Sequence, residues 1–528
     1  MKKKTIIGSA LLIAAAILIC ACGAAAPQDT AANTPLPIGS LSYSNDVALG
    51  GHMDGNLNGT IVEYKIPSIN GSTKITRFFA QGEQIENPFV ETEKEATSTF
   101  SSDVDTASYA LLRKMISQGY KFDELKSTAG SSLRTEELVN YFNYECPAPD
   151  GKLFGVKATL AKTPYNISTY LLKLTLATEK TQPTEKNNIV FLIDVSGSMS
   201  ANDKLPLLKK AFNALTERLG DDDVVSIVTY ASGEKVVLDG CSGAKKQTIL
   251  DAVNSLTAGG ATNGEAGLQM AYQLAEKHFI NGGNNRIFLA SDGDLNVGIR
   301  SPEELKKFVE DKRASGVFLS VMGFGTGNYK DANMETLADN GNGVYYYIDG
   351  ETEAEKVFGE DLFAALYTVA KDVKLQITFD KDLVSSYRLI GYENRLLRNE
   401  DFANDTKDAG DLGAGSTVTV FYELVLNNGA TAAGKDFADL AVRYKAPDGD
   451  KSSEEHHKVA ASAFTETPDD DFKFAAAVVE LSLLLRGSVF TGSASMERVL
   501  GTLEGLDLSA DFYKTQFKGL LNQLTAEQ

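Results

Sequence analysis

Between residues 187 and 370 apolar runs and amphipathic stretches alternate. Residues 189–193, 224–230, 286–290, 317–324 and 344–348 are apolar almost without a break, as strands covered on both faces must be. Residues 236–238 add an edge. Helical spacing predicts helices over 204–219, 245–256, 265–278 and 302–313, the last with Ser301 as N-cap and Pro302 at its first position, and a closing helix over 351–369. Strand and helix in regular alternation predict an α/β fold: a doubly wound, mostly parallel, Rossmann-like sheet with helices on both sides.

The period changes on either side of this segment. Past residue 370, Val373, Leu375, Ile377 and Phe379 alternate with Lys374, Gln376 and Thr378. Val418, Val420, Tyr422, Leu424 and Leu426 do the same, as do Leu440, Val442 and Tyr444. A two-residue period predicts an antiparallel sheet with one face exposed. Residues 153–180 look like paired strands too, so a β-sandwich-like region could share strands from both sides with the α/β segment inserted; the pattern leaves that open. Tyr109, Leu111, Leu112, Met115 and Ile116 recur at helical spacing, and a second helical segment is expected over 135–142. The last 60 residues turn helical, opened by Asp469-Asp470-Asp471 at the positive end of a helix dipole, with amphipathic segments near Met496 and Tyr513. The expected division is 1–21 signal peptide, 22–95 flexible tether, 96–186 helical and β flank, 187–370 α/β domain, 371–466 antiparallel β domain and 467–528 helical region.

The chain start sets the expected compartment. Lys2, Lys3 and Lys4 precede an apolar run from Ile6 to Ile19, shorter than the roughly 20 residues a membrane span needs. Ile19-Cys20-Ala21-Cys22 then resembles a lipobox, with an aliphatic residue three before Cys22 and a small one directly before it. Cys20 fits worse, because Ile19 is too large for the small position. Cys22 is therefore the expected lipidation site, anchoring the protein on the extracytoplasmic face of the cell membrane. The 528-residue chain carries a net charge of −20, and removal of three lysines with residues 1–21 makes it more acidic still. Such a surface excludes nucleic acid as a partner. Hydrophobic residues make up 43% of the chain, too many for disorder. Of four cysteines, Cys146 and Cys241 remain after processing; a disulfide and two buried thiols are equally compatible with their spacing.

Three strand ends bring candidate chemistry. Asp194-Val195-Ser196-Gly197-Ser198 follows the first α/β strand, Thr262 sits in Gly259-Gly260-Ala261-Thr262-Asn263-Gly264, and Asp292 sits in Ser291-Asp292-Gly293-Asp294. The carboxyl ends of parallel strands are where open α/β sheets bind ligands. A hard cation wants about six oxygens. Ser196, Ser198 and Thr262 offer neutral hydroxyls, while Asp194 and Asp292 add charge directly or by holding metal-bound waters. Neutral ligands leave the ion with unquenched charge and favour an incoming carboxylate. An ordinary strand-to-helix turn, with Ser and Asp as caps, is the plain alternative for the first motif alone.

Taken together, these loops resemble the metal-ion-dependent adhesion site of von Willebrand factor type A (VWA) domains. The similarity extends to Gly323-Phe324-Gly325-Thr326-Gly327-Asn328-Tyr329, to Leu337-Ala338-Asp339-Asn340-Gly341-Asn342-Gly343 and to Phe100–Tyr109. With those segments the chain resembles, over roughly residues 85 to 525, a bacterial lipoprotein family that carries a VWA domain between N- and C-terminal flanks. The resemblance implies a VWA fold and a divalent cation, Mg²⁺ first with Mn²⁺ or Ca²⁺ as alternatives, held by Asp194, Ser196, Ser198, Thr262 and Asp292.

The expected function is a membrane-anchored protein-binding module, for adhesion or complex assembly, whose cation accepts an Asp or Glu of a protein ligand. A metal-insensitive structural component of the cell envelope is the alternative, and an extracytoplasmic hydrolase a third. No enzyme is expected: G-x-S-x-G and Walker A patterns are absent, and no base stands beside the hydroxyl-rich motif, with Asp294 reading as loop structure. Asp103-Val104-Asp105 resembles a phosphatase nucleophile pair, but Ala107 and the lack of a supporting lysine favour helix capping. His456-His457 reads as a solvated hairpin, since neighbours on a strand face opposite ways.

Overall fold

The computed structural model describes residues 60–67, 73–80, 85–179, 186–261, 265–293, 302–313, 315–325, 334, 337–338, 340–361, 367–447 and 449–526. Cys22, Thr262, Asp294 and Ser301 lie outside them. The N-terminal part corrects one expectation. Within the stretch read as a tether, β1 (Thr60–Pro67) and β2 (Thr73–Ala80) form an antiparallel hairpin in register from Thr60↔Ala80 to Pro67↔Thr73. Their β-branched and aromatic residues suit a pleated ladder. Then come β3 (Val90–Glu91), β4 (Thr97–Ser101), α1 (Ala107–Ser117), α2 (Phe122–Thr128), α3 (Thr135–Asn140), β5 (Phe154–Thr163) and β6 (Asn166–Thr178).

The α/β layer starts with β7 (Asn187–Asp194), all eight residues of which are buried. It continues through α4 (Leu205–Arg218), β8 (Val224–Tyr230), β9 (Glu234–Ser242), α5 (Lys246–Asn254), α6 (Glu265–Lys277), β10 (Asn284–Ser291), α7 (Pro302–Arg313), β11 (Phe318–Phe324), β12 (Tyr345–Ile348) and α8 (Glu351–Lys356). The sheet order is β12-β11-β10-β7-β8-β9, parallel except for the antiparallel edge strand β9. One face packs Phe191, Phe212 and Phe358; the other packs Leu192, Tyr272 and Tyr345, and it also buries Ala107 and Ala110 of α1. The closing helix is shorter than the 351–369 expected. Its described part runs into a π-turn at Val357–Asp361, and by Thr368 the chain is in a strand paired to Gly413.

The remaining strands are β13 (Thr368–Phe379), β14 (Val384–Ile390), β15 (Gly410–Gly413), β16 (Thr417–Leu426), β17 (Ala438–Lys445) and β18 (Ser452–Val459). They build two five-stranded sheets, and each takes strands from before the α/β layer. One runs β15-β13-β17-β18 with β4 also on β13; the other runs β3-β14-β16-β6-β5. Leu172, Leu174 and Leu176 share one core with Val373, Leu375, Ile377, Leu440 and Val442. Residues 154–178 and 417–426 are thus one sheet, and the α/β layer is inserted into a sandwich.

Three C-terminal helices, α9 (Asp470–Arg486), α10 (Met496–Glu504) and α11 (Phe512–Ala526), pack with α1, α2 and α3 around Phe142, Phe474 and Phe517. Asp469 caps α9 by accepting from Phe472 N at 2.8 Å, and Gly487 ends it in the left-handed region. The helix is apolar all round because the flanking layer buries it from every side.

Candidate metal centre

Parallel pairing sets Ile193 of β7 beside Ala290 of β10. Continuing that register one and two residues puts Asp194 and Asp292 at the same edge of the sheet, both buried. Past β7 the chain makes a tight 3₁₀ turn, Gly197–Ser200, anchored by the fully buried Met199. Ser196 N donates to Asp194 Oδ1 at 2.7 Å, which fixes the carboxylate against the turn. The hydroxyls of Ser196 and Ser198 then lie 2.9 Å apart, the first buried and the second exposed. Neighbouring ligands of an octahedral ion with bonds of about 2.1 Å are about 3 Å apart. The two hydroxyls therefore already have the spacing of adjacent ligands.

The third loop is laid against the first. Gly197 N donates to Gly260 O at 3.0 Å and Gly259 N to Val195 O at 2.8 Å. Ala261 N donates to Ser232 Oγ at 3.0 Å. The residue after it is Thr262, the expected hydroxyl ligand, and it falls outside the described residues. The structure thus brings together Asp194, Ser196, Ser198 and Asp292 and leads the fifth residue's loop to the same place. Beneath them, burial pushes the Tyr230 phenol well above its ordinary range, and the Asp194 carboxylate adds to the shift. The ring stays neutral under the site.

One participant carries no motif that pointed to it. Lys204 Nζ donates to Asp292 Oδ2 at 2.7 Å, with the carboxylate fully enclosed and the lysine only 12% exposed. Its stem lies over Gly325, whose φ of +78° and missing Cβ make the room; a Cβ there would overlap Lys204 Cε. Tyr347 OH donates to Gly325 O at 2.7 Å and holds that loop. A lysine at the N-terminal boundary of α4 opposes the helix dipole, and that misfit is the signal by which the sequence could have revealed it. The ammonium supplies part of the positive charge the two carboxylates require.

Among the described residues no three His, Cys, Asp or Glu side chains form a metal-holding group. A site here is accordingly hydroxyl-rich, with two carboxylates and no imidazole or thiolate, a donor set that suits Mg²⁺ or Mn²⁺ over Zn²⁺. The other sequence candidates are spent elsewhere. Arg395 donates to Asp103 Oδ2 (3.0 Å) and Asp105 Oδ2 (3.3 Å), and Tyr345 N donates to Asp105 Oδ1 (3.0 Å). The pair joins the sandwich to β12. It does not cap α1 as expected, because Thr106 is the N-cap and makes no side-chain bond. Cys146 and Cys241 are free. His456 lies 54% exposed and His457 12%, on opposite faces of β18.

The flank reaches the rim of the site. Arg113 of α1 binds Asp349 through Nε (2.7 Å) and Nη2 (2.5 Å), and Nη2 also reaches Glu353 Oε2 at 2.6 Å. Nη1 bonds Tyr141 OH (2.9 Å) and Gln516 Oε1 (3.1 Å). The next residue, Lys114, contacts Asp203 Oδ2 at 3.3 Å, beside Lys204.

Comparison with known proteins covers nearly the whole described chain. Residues 188–360 match the von Willebrand factor type A domain, residues 79–173 match a second von Willebrand factor family, and residues 364–526 match the C-terminal family of the uncharacterized protein YfbK. Uncharacterized protein YfbK of Escherichia coli (strain K12) is 40% identical over 440 residues, 78% of this chain and 75% of that protein. Inter-alpha-trypsin inhibitor heavy chain H3 of Mesocricetus auratus is 30% identical over 181 residues, 33% of this chain; the match spans 20% of the heavy chain. Among solved structures, von Willebrand factor type A from Catenulispora acidiphila is 17% identical with a TM-score of 0.41, covering 72% of this chain and 91% of that one.

Proposed function

This chain belongs to the family of the E. coli protein YfbK, a VWA domain with its own flanks, and from that premise we propose a metal-dependent binding role for it. A VWA domain marks the chain as a protein-interaction or adhesion module. A divalent cation, Mg²⁺ before Mn²⁺ or Ca²⁺, is held by Asp194, Ser196, Ser198, Thr262 and Asp292. An Asp or Glu of a protein ligand supplies the last oxygen. When bound, the cation would supply Lewis acidity toward that carboxylate, and the strand-end loops would orient it. The protein binds and does not turn over substrate, and its N-terminus holds it at the cell membrane through lipid on Cys22.

The observation that carries the reading is the 2.9 Å spacing of the Ser196 and Ser198 hydroxyls at the sheet edge that also holds the buried Asp194 and Asp292. Calorimetric titration of Mg²⁺ into the full chain in detergent tests it, with Asp194→Ala alongside. One saturable site is expected, lost in the variant; identical heats from both proteins would refute it. Cys22→Ser is expected to move the protein out of the membrane fraction, and retention there would refute the anchor. One observation favours a second reading: Lys204 already neutralises Asp292, so the loops can hold their shape without an ion. A metal-insensitive envelope assembly component would behave so, and binding unaffected by chelation would select it.

A further inference from the structure

Opposite the metal end of the α/β sheet, a cavity of about 130 Å³ opens where that sheet, the sandwich and the flanking helices meet. That is well above the roughly 10–15 Å³ a cavity needs to hold a single water. Its most telling wall residue is Arg286, near the start of the strand whose far end leads to Asp292. Arg286 is 3% exposed, with its guanidinium against the Phe318 ring and Nη1 donating to Ser320 Oγ at 2.9 Å. No carboxylate of the described residues pairs with it, and Nε has no hydrogen-bond partner among them. An arginine cannot shed its proton to escape burial, and a buried unpaired charge is costly. The cavity is where its counter-charge can sit.

The facing wall carries the complement. Asp411 of β15 lines the same cavity. Its Oδ1 accepts from Asp372 N at 3.0 Å, while its Oδ2 is enclosed and unpartnered among the described residues. Asp411 and Arg286 feel each other's charge without forming an ion pair. The other charges in the lining are already matched, Lys356 Nζ to Asp361 Oδ2 at 2.5 Å. Asn140 and Ser416 add neutral polar atoms. One guanidinium and one carboxyl, within reach of each other's charge but not in contact, therefore line a polar space with no ion-pair partner among the described residues.

We infer that this cavity binds a small zwitterion of the amino-acid class, its carboxylate on Arg286 and its ammonium toward Asp411. The site is separate from the metal centre and stands whether or not that reading holds. Burial pushes the Asp411 carboxyl up to about 7, against the pull of the Asp372 amide and Arg286; an ammonium beside it would favour the ionised form.

The test is a thermal-melt and calorimetric titration of the full chain in detergent with L-alanine, D-alanine and glycine. Acetate and methylammonium serve as probes that each carry one charged half. At least one amino acid is expected to bind saturably, with acetate and methylammonium weaker by tenfold or more. Arg286→Met and Asp411→Asn are expected to weaken it by tenfold or more. Acetate binding as tightly as the amino acids would overturn the zwitterion in favour of a simple anion site. No saturable binding of any probe would overturn the site and leave a water-bridged Arg286–Asp411 pair. The half-ligand comparison uses the unmodified protein, so it decides the matter even if either variant fails to fold.

Discussion

The residue with the most consequence at the candidate centre is Lys204, because it decides how readily Asp292 is released to a cation. An ammonium 2.7 Å from a fully enclosed carboxylate competes with any divalent ion for that charge. Lys204→Met is expected to raise Mg²⁺ affinity by roughly tenfold, about 1.4 kcal/mol, in a calorimetric titration; weaker binding in the variant would mean that Lys204 supports the ion. A second residue-scale effect lies at Glu136 in α3. Burial pushes its carboxyl from an ordinary 4.5 up to about 8, with Glu393 and Asp103 adding negative charge nearby. Between those values the unfolded chain ionises while the folded chain keeps its proton. This contribution to stability is therefore full below pH 4.5 and lost as pH rises through 8. Glu136→Gln should stabilise the protein at pH 8 relative to pH 5 by on the order of a few kcal/mol in denaturant melts. The strand-end placement of Asp194, Ser196, Ser198 and Asp292 was legible because D-x-S-x-S and a later Asp each follow an apolar run. Lys204 belongs to no motif, and the only trace of its role in the sequence is a lysine opposing the dipole at the start of α4.

At the scale of elements, near-continuous apolar runs marked every strand of the parallel sheet within a few residues, because burial on both faces leaves no other pattern. The misses share a cause: each involves an element shaped by a partner far away in the chain, or by a turn whose surroundings hide it. The hairpin of β1 and β2 carries Asn70-Gly71 between its strands, a turn signal, yet its polar surroundings read as linker. Residues 368–369 look helical next to α8, but Thr368 pairs with Gly413. Asp103 and Asp105 look like caps but meet Arg395, 290 or more positions on. The same long-range pairing yields a prediction. β16 needs β6 and β13 needs β4, so residues 367–526 expressed alone should lack a neighbour for each of these two inner strands. Circular dichroism and size exclusion should show that fragment aggregated or without a cooperative melt, and co-expression with residues 85–179 should rescue it. A cooperative melt of the fragment by itself would contradict the shared sandwich.

Over the whole molecule, insertion leaves the metal end of the α/β sheet clear of the sandwich while α1 ties the flank to its rim through Arg113–Asp349 and Lys114–Asp203. A ligand docking on the strand-end loops would therefore meet a surface held by two layers. The acidic charge of the chain makes a cation there the natural landing point for an acidic side chain. The most direct test of a cation at these loops is a crystal grown in Mn²⁺ with diffraction recorded above the manganese edge. One anomalous peak is expected within bonding distance of the Ser196 and Ser198 hydroxyls, with the Lys204 ammonium displaced from Asp292. A map with no peak at these loops, and Lys204 still on Asp292, would contradict the metal-dependent binding role.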